Sequence, residues 1–180
     1  MIIGITGTLG AGKGAVVSYL VKKKGFTHHS VRDFLAEEME KENIVINRDT
    51  MVVYANTLRE KYGPGYLFEK LHHRAQGSVN HAVIESIRTV GEAEALKNAG
   101  GTLLAIDADQ EKRYERIHGR GSALDHVSFK EFQEQERREM HSSDSHKQNI
   151  AKVMEMADVV IQNNGTLIEL YQTLEKTITK

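Results

Sequence analysis

The sequence predicts an α/β fold in which helices cover both faces of a five-stranded parallel sheet. Short apolar runs, typical of strands that are buried on both faces, alternate along the chain with longer segments of helical periodicity. The first apolar run, residues 1–5, leads into a glycine-rich turn and then into a helix. The 180 residues are enough for one α/β domain, and we expect the whole chain, 1–180, to form it.

The glycine-rich turn is a G-x-x-x-x-G-K motif that lies between a strand and a helix at residues 15–24. This context indicates a phosphate-binding loop. Glycines let the backbone approach an anion closely, while amide N–H groups and the helix N-terminus supply partial positive charge. Lys13 adds a mobile charge for the outer phosphates. The residues expected to bind nucleotide here are Gly7, Thr8, Leu9, Gly10, Ala11, Gly12, Lys13, Gly14 and Ala15.

The motif lacks one part of the usual pattern. The position after the lysine normally carries Ser or Thr, whose hydroxyl binds Mg²⁺. Here that position is Gly14, and Ala15 follows. Nucleotide binding is therefore expected, but a Mg²⁺ ligand must come from elsewhere in the chain.

The second strand, residues 26–30, ends at Ser30 and is followed by a helix over residues 31–43. Ligands of open α/β sheets bind at the carboxyl ends of strands. Ser30, Arg32 and Asp33 are therefore candidate substrate-binding residues, and Asp33 is also a candidate catalytic residue. The alternative is a helix cap at Ser30 beside a surface charge pair.

Two further helices, over residues 48–62 and 66–76, separate the second strand from the third. This is more chain than a simple crossover needs, so residues 31–78 are interpreted as an inserted helical lobe that binds the substrate. Arg59 in this lobe is a candidate ligand for a substrate phosphate. The alternative is a solvated arginine on a helix surface.

The third strand, residues 80–84, is followed directly by Glu85. A carboxylate at the tip of a buried strand beside a phosphate loop can hold Mg²⁺ or accept a proton from an attacking hydroxyl. Arg88 follows, where a cation would stabilise a transferring phosphoryl group. We predict that both residues are catalytic, that Glu85 is the metal ligand, and that Arg88 also contacts the substrate.

The fourth strand, residues 102–106, precedes a helix that contains Arg116, and Arg120 lies in a glycine-flanked turn just beyond it. A cationic helix end beside such a turn suits a lid that closes over polyphosphate. Residues 116–128 are the predicted lid, and Arg116 and Arg120 are predicted catalytic residues. The alternative is surface salt bridging.

The remainder of the chain has a charged helix over residues 128–140, a last strand over residues 157–161 and a C-terminal helix that ends near residue 177. Arg138 in the charged helix is a further candidate substrate ligand. Gln148 and Asn149 have amide groups that can read the edge of a base, or they can cap the helix that follows.

Composition excludes several classes of protein. A net charge of −1 provides no general attraction to nucleic acid or membranes, and the absence of cysteine excludes disulfides and thiol chemistry. The chain has no signal-like segment and no apolar run long enough to span a bilayer. We expect a cytoplasmic monomer or homodimer that acts on a small molecule.

Taken together, these landmarks resemble the nucleoside monophosphate kinase branch of P-loop proteins over almost the whole chain. The sequence is similar to dephospho-CoA kinase-like and adenylate kinase-like proteins, and to the kinase-like domain of some deoxycytidylate deaminases. The matching residues are Gly7 to Gly14, Ser30 with Asp33, Leu58-Arg59, Glu85 to Arg88 with Gly91-Glu92, Arg113 to Arg120, Glu136 to Glu139, Ala157-Asp158, Asn163, and Gly165-Thr166.

The resemblance implies a P-loop NTPase fold with strand order 2-3-1-4-5 and the use of ATP and Mg²⁺. It also implies that Asn163, Gly165 and Thr166 lie beside the adenine ring and that Arg116 contacts the nucleotide. Adenylate kinases usually have Asp-Gly-Phe-Pro-Arg where this chain has Glu85-Ser86-Ile87 and then Arg88. That departure indicates an acceptor other than AMP.

The resemblance implies ATP-dependent phosphoryl transfer to a small nucleotide, most simply a (deoxy)nucleoside monophosphate. Lys13 would hold the donor, while the three arginines at positions 88, 116 and 120 would neutralise developing charge. Glu85 or Asp33 would orient the acceptor or Mg²⁺. Three alternatives stay open: a dephospho-CoA kinase, a kinase of a modified pyrimidine nucleotide, and a nucleotide-binding regulatory module without turnover.

Overall fold

The computed structural model describes residues 1–76, 81–119 and 128–178. Within them the strands are β1 (Ile2–Gly7), β2 (Thr27–Ser30), β3 (Ala82–Glu85), β4 (Thr102–Asp107) and β5 (Val159–Gln162). They pair in parallel, in the order β2-β3-β1-β4-β5. The predicted fold class is confirmed, as is the strand order that the resemblance implied.

Local sequence determines where several helices begin. Asn47, Thr89 and Ser128 each accept a hydrogen bond from the backbone N–H three residues later, and the side chain there returns the contact, which satisfies otherwise free N–H groups. The helices are α1 (Lys13–Lys24), α2 (Val31–Lys41), α3 (Arg48–Tyr62), α4 (Tyr66–Gln76), α5 (Val90–Asn98), α6 (Gln110–His118), α7 (Phe129–Met140), α8 (Ile150–Glu155) and α9 (Leu167–Ile178).

Apolar cores form on both faces of the sheet. Successive residues of β3 point to opposite sides: Val83 packs with Leu20 of α1 and Leu174 of α9, while Ile84 packs with Phe68 of α4. All of these side chains are buried. Burial on both faces explains the nearly continuous apolar sequence of the central strands.

The topology brings three strand ends together. Gly7 ends β1, which lies between β3 and β4, whose last residues are Glu85 and Asp107. Ile5 of β1 is in register with Glu85, and Gly7 is in register with Ile106. The carboxylates that end the two neighbouring strands therefore flank the phosphate loop.

The predicted insert corresponds to α2, α3 and α4, which lie between β2 and β3. Residues 77 and 78 of that insert are outside the described residues. Residues 120–127 of the predicted lid, which include Arg120, are outside them as well. In the described part of the chain, no helix has both the length and the apolar character required to cross a lipid bilayer.

Candidate functional site

The phosphate loop depends on glycines for steric reasons. Gly7 and Gly12 have φ values of 128° and 101°, which side chains rarely adopt. A Cβ at Gly7 would collide with the carbonyl oxygen of Ile106, and one at Gly12 would collide with the amide nitrogen of Asn163. Gly12 is also the N-cap of α1, so the loop passes directly into the helix N-terminus.

Lys13 lies folded against its own loop. Its ammonium group donates hydrogen bonds to the carbonyl oxygens of Gly7 at 2.9 Å and Thr8 at 2.7 Å. Burial lowers the pKa of Lys13 to about 7, Arg88 adds to the shift, and Glu85 opposes it. A bound phosphate would compensate the desolvated charge, so this lysine is poised to accept an anion.

Glu85 extends from the end of β3 toward the same region. His28 of the neighbouring strand β2 lies 3.1 Å from it, between Nε2 and Oε2. This hydrogen bond lowers the pKa of Glu85, and the charges of Lys13 and Arg88 contribute, outweighing the opposing effect of burial. Glu85 is therefore a carboxylate at neutral pH, able to bind a cation or orient an acceptor.

Arg88 lies just beyond β3 within a larger charge cluster. Its Nη1 donates to Glu139 Oε2 at 3.1 Å and to Gln148 Oε1 at 3.0 Å. The other oxygen of Glu139 accepts from Arg48 Nη2 at 2.5 Å. Burial acts to raise the pKa of Glu139, but Arg88 and Arg48 outweigh it, so the net shift is downward.

A second charge pair fixes the loop from the side of β4. The buried Arg113 donates to the carbonyl oxygens of Ala108 at 2.7 Å and Leu9 at 3.1 Å, and it is paired with Glu136 of α7. Asp107 accepts a 2.6 Å hydrogen bond from the hydroxyl of Thr8. Asp109 precedes the first residue of α6 but makes no capping hydrogen bond with its side chain.

Asn163 and Arg116 lie behind the loop. The side-chain Nδ2 of Asn163 donates to the carbonyl oxygen of Ala11 at 2.8 Å. The backbone carbonyl oxygen of Asn163 accepts from Arg116 Nη2 at 2.9 Å. Arg116 Nη1 is buried without a hydrogen-bond partner among the described residues. Gly165 and Thr166 are exposed, and Thr166 caps the start of α9 through Glu169. Their contact with adenine stays a prediction.

Arg59 does not lie where a substrate phosphate would reach it. Its guanidinium is fully buried and donates from Nε at 3.0 Å and from Nη2 at 2.8 Å to Glu92 Oε1, where both side chains are excluded from water. A group already neutralised by an internal carboxylate has no free charge for a ligand. The prediction that Arg59 binds a substrate phosphate is therefore wrong in this arrangement.

Other candidates lie at the surface of the site or away from it. Ser30 uses its hydroxyl to cap α2 through the N–H of Asp33 at 3.1 Å, while Arg32 and Asp33 are exposed. Arg138 is exposed and donates to the carbonyl oxygen of Glu134 on its own helix at 3.3 Å. The structure does not bring Arg138 to the loop, and the roles of the other three stay predictions.

Sequence reasoning did not predict the charge cluster that joins Glu139 to Arg48 and Arg88, or the contact of Gln148 with Arg88. One available signal was the spacing of Phe132, Glu136 and Glu139, which lie four and seven residues apart and so share the buried face of α7. Gln148, proposed as a base reader, is buried against Arg88. Asn149 caps α8 through the N–H of Lys152.

The residues present fit a nucleotide better than they fit a preformed metal site. A narrow glycine loop, a helix N-terminus and a desolvated lysine are suited to phosphates. In the ranges that the structure covers, no group of three His, Cys, Asp or Glu side chains is arranged to hold a metal. Mg²⁺ commonly binds through one or two carboxylates together with substrate phosphates, and Glu85 is placed for that role.

Comparisons with known proteins agree with this geometry. A family profile described as AAA domain matches residues 3–140. A UPF0200 protein of Pyrococcus horikoshii is 30% identical over 187 residues, an alignment that covers 100% of this chain and 97% of that protein.

Two solved structures resemble the fold at low identity. Shikimate kinase from Bacteroides thetaiotaomicron has a TM-score of 0.63 and 14% identity, covering 100% of this chain and 99% of the other. Deoxyadenosine kinase from M. mycoides, solved with bound dATP, has a TM-score of 0.59 and 11% identity, covering 100% of both chains. At these identities the likeness concerns the fold alone.

The predicted resemblance to P-loop proteins is confirmed by the profile, whose domain implies nucleotide binding. The relatives span the chain from end to end, so the match is not restricted to the loop. The chain belongs to the AAA domain family of P-loop proteins and to the UPF0200 proteins.

Proposed function

We propose that this protein transfers a phosphoryl group from ATP to a small nucleotide acceptor, most simply a (deoxy)nucleoside monophosphate. The observation that carries the proposal is the convergence of Lys13, Glu85 and Arg88 at the carboxyl ends of β1 and β3, directly beside the phosphate loop. The fold neighbours named as small-molecule kinases support the same class of reaction.

The reaction needs little covalent chemistry from the protein. An oxygen of the acceptor forms a bond to the γ-phosphorus while the bond to the β–γ bridging oxygen breaks, which leaves ADP and a phosphorylated acceptor. When the acceptor is a phosphate oxygen, the protein has no proton to remove. Catalysis is then mainly positioning and charge stabilisation, for which the loop amides, Lys13 and Arg88 are suited.

Mg²⁺, when bound, would neutralise charge on the β- and γ-oxygens. Gly14 and Ala15 offer no hydroxyl to it, so Glu85 would hold it directly or through water, together with the phosphates of the nucleotide. The same missing hydroxyl favours a second candidate function, a regulatory module that binds nucleotide without turnover. Lys13, which donates to its own loop rather than pointing outward, is compatible with either function.

A screen of ATP consumption separates the two functions. The acceptors are the deoxynucleoside monophosphates, AMP, CMP and dephospho-CoA, each with and without Mg²⁺. A phosphotransferase consumes ATP with at least one acceptor and only with Mg²⁺, and Lys13→Ala weakens ATP binding and abolishes turnover. Glu85→Gln abolishes turnover but spares ATP binding, because it keeps the shape and removes the charge.

The matched control is Glu94→Gln, an exposed glutamate of α5 that is distant from the strand ends in the sequence. We expect it to retain full activity. If folded wild-type protein binds ATP but consumes none with any acceptor, the regulatory function replaces the catalytic one. If it binds no ATP, both proposals are wrong.

A further inference from the structure

We propose that Arg48 and Arg88 form a binding site for a phosphate group of a substrate, and that Glu139 fills this site when no substrate is bound. The inference rests on the proposed function and extends it to a site that Arg48 completes. Its first support is the position of Glu139 between the arginines, with one carboxylate oxygen on each, at 2.5 Å and 3.1 Å.

The arginines come from separate parts of the fold. Arg48 is the first residue of α3 in the insert, and Arg88 lies in the turn between β3 and α5. Glu139 reaches both from α7. Among the described residues, the carboxylate of Glu139 is thus the group that links the guanidinium of Arg48 in the insert to the guanidinium of Arg88 in the turn.

Exposure distinguishes this cluster from a purely structural ion pair. The side chains of Arg48, Arg88 and Glu139 are 33%, 30% and 19% exposed. Those of the internal pair Arg59 and Glu92 are 1% and 0% exposed. A ligand can reach the first cluster from solvent but cannot reach the second, and arginines that remain reachable can exchange a carboxylate for a phosphate of similar geometry.

The small space beside the phosphate loop indicates that a phosphate would displace Glu139 rather than bind next to it. The cavity between residues 7–9 and the Glu136 and Glu139 side of α7 has a volume of only about 10 Å³. That is room for about one water molecule at most, and not for a phosphate. Two carboxylates at the loop would also repel the phosphates of a nucleotide. Glu139 also occupies the guanidinium groups that a phosphate would bind, so we expect Glu139 to leave when a phosphate enters.

The charges favour the exchange. Lys13, Arg48 and Arg88 face the carboxylates of Glu85 and Glu139, and Glu139 acts on Lys13 electrostatically. A phosphate carries more negative charge than the carboxylate it replaces and has more acceptor oxygens for the guanidinium groups. A bound phosphate would therefore replace each contact that Glu139 makes with the two arginines by a stronger one.

The test measures binding of ATP, ADP and AMP separately, by calorimetry without Mg²⁺, to wild type and Glu139→Gln. Removing the charge that blocks the site should raise the competent fraction and tighten binding on the order of tenfold. Tighter binding of ATP but not ADP places the γ-phosphate between the arginines. Tighter binding of AMP places the acceptor phosphate there. Arg48→Gln should weaken the same ligand.

Glu134→Gln is the matched control, because Glu134 is an exposed residue of the same helix. The inference is overturned if Glu139→Gln tightens none of the ligands, or if the control tightens them equally. Arg48→Gln keeps the test decisive should Glu139→Gln fail to fold, since unchanged binding of all three ligands also overturns it. Wild type that binds ATP through Lys13 while these variants have no effect refutes only this inference; wild type that binds no ATP refutes the proposed function as well.

Discussion

Replacing Arg59 with methionine tests whether this arginine stabilises the fold or binds substrate. Methionine keeps much of the side-chain length but removes the hydrogen bonds at 3.0 Å and 2.8 Å to Glu92. Glu92 would retain the backbone N–H groups of Arg88 at 2.8 Å and Thr89 at 3.2 Å. Its carboxylate would nevertheless be left without a counter-ion in a position with no access to water.

The expected cost follows from that burial. Breaking a buried ion pair by removing one partner costs about 3–5 kcal/mol, because a desolvated charge remains uncompensated. For a domain of this size, each kcal/mol lowers the melting temperature by about 2–4 °C. We therefore expect Arg59→Met to lower the melting temperature by roughly 6–20 °C.

Arg74→Met is the control, because Arg74 and Glu37 form a pair at 2.8 Å whose side chains are 40% and 53% exposed. Exposed pairs contribute about 1 kcal/mol or less. Urea unfolding followed by circular dichroism measures both free energies of unfolding. If Arg59→Met destabilises no more than the control but impairs acceptor binding, the buried-pair argument fails and the original substrate-binding prediction is restored.

Three further predictions concern the phosphate loop. Burial lowers the pKa of Lys13 to about 7 and a bound triphosphate would raise it, so ATP binding should take up a proton and the affinity for ATP should fall as pH rises from about 7 to 9. Calorimetry in two buffers with different ionisation enthalpies measures this proton uptake, which Lys13→Ala should remove. An ATP affinity that does not change with pH contradicts the prediction. A Cβ at Gly14 meets nothing within 4 Å, so the site has space for a serine whose hydroxyl could bind Mg²⁺. Gly14→Ser should tighten binding of Mg-ATP relative to metal-free ATP, whereas Gly14→Ala should not. Equal effects of the two substitutions in binding titrations would exclude a role for the hydroxyl. Gly12→Ala places a side chain at a φ of 101° and against Asn163. It should therefore lower the free energy of unfolding, measured by thermal unfolding, by about 1–3 kcal/mol and weaken ATP binding. Wild-type values for both quantities would show that the loop tolerates a side chain.

The features that sequence could predict follow from local pattern combined with one rule of sheet topology. The phosphate loop is a contiguous motif between β1 and α1, so Lys13 needed no tertiary information. Glu85 and Arg88 were accessible because they follow an apolar strand, and parallel strands bring their carboxyl ends to one edge. The order of the strands came from the resemblance, since apolar runs do not specify their neighbours.

The partners of the arginines could not be predicted in the same way. Arg59 and Arg88 both stand in helical or turn segments with acidic residues nearby, and sequence does not say which carboxylate reaches which guanidinium. Glu92 could be recognised as the third residue of a capping box that begins at Thr89. The contact of its other oxygen with Arg59 of α3 depends on where α3 and α5 lie relative to each other in the folded chain.

Arg88 is the residue at which these two charge systems meet. Its backbone N–H donates to Glu92, which is itself held by Arg59, so the main chain of the turn is fixed from the insert. Its guanidinium is held instead by Glu139 of α7, in a partly exposed contact. A ligand that replaced Glu139 would therefore leave the backbone of Arg88 in place while it freed α7 from both arginines. The backbone of Arg88 thus fixes the position of the residue, while its guanidinium can exchange Glu139 for a ligand.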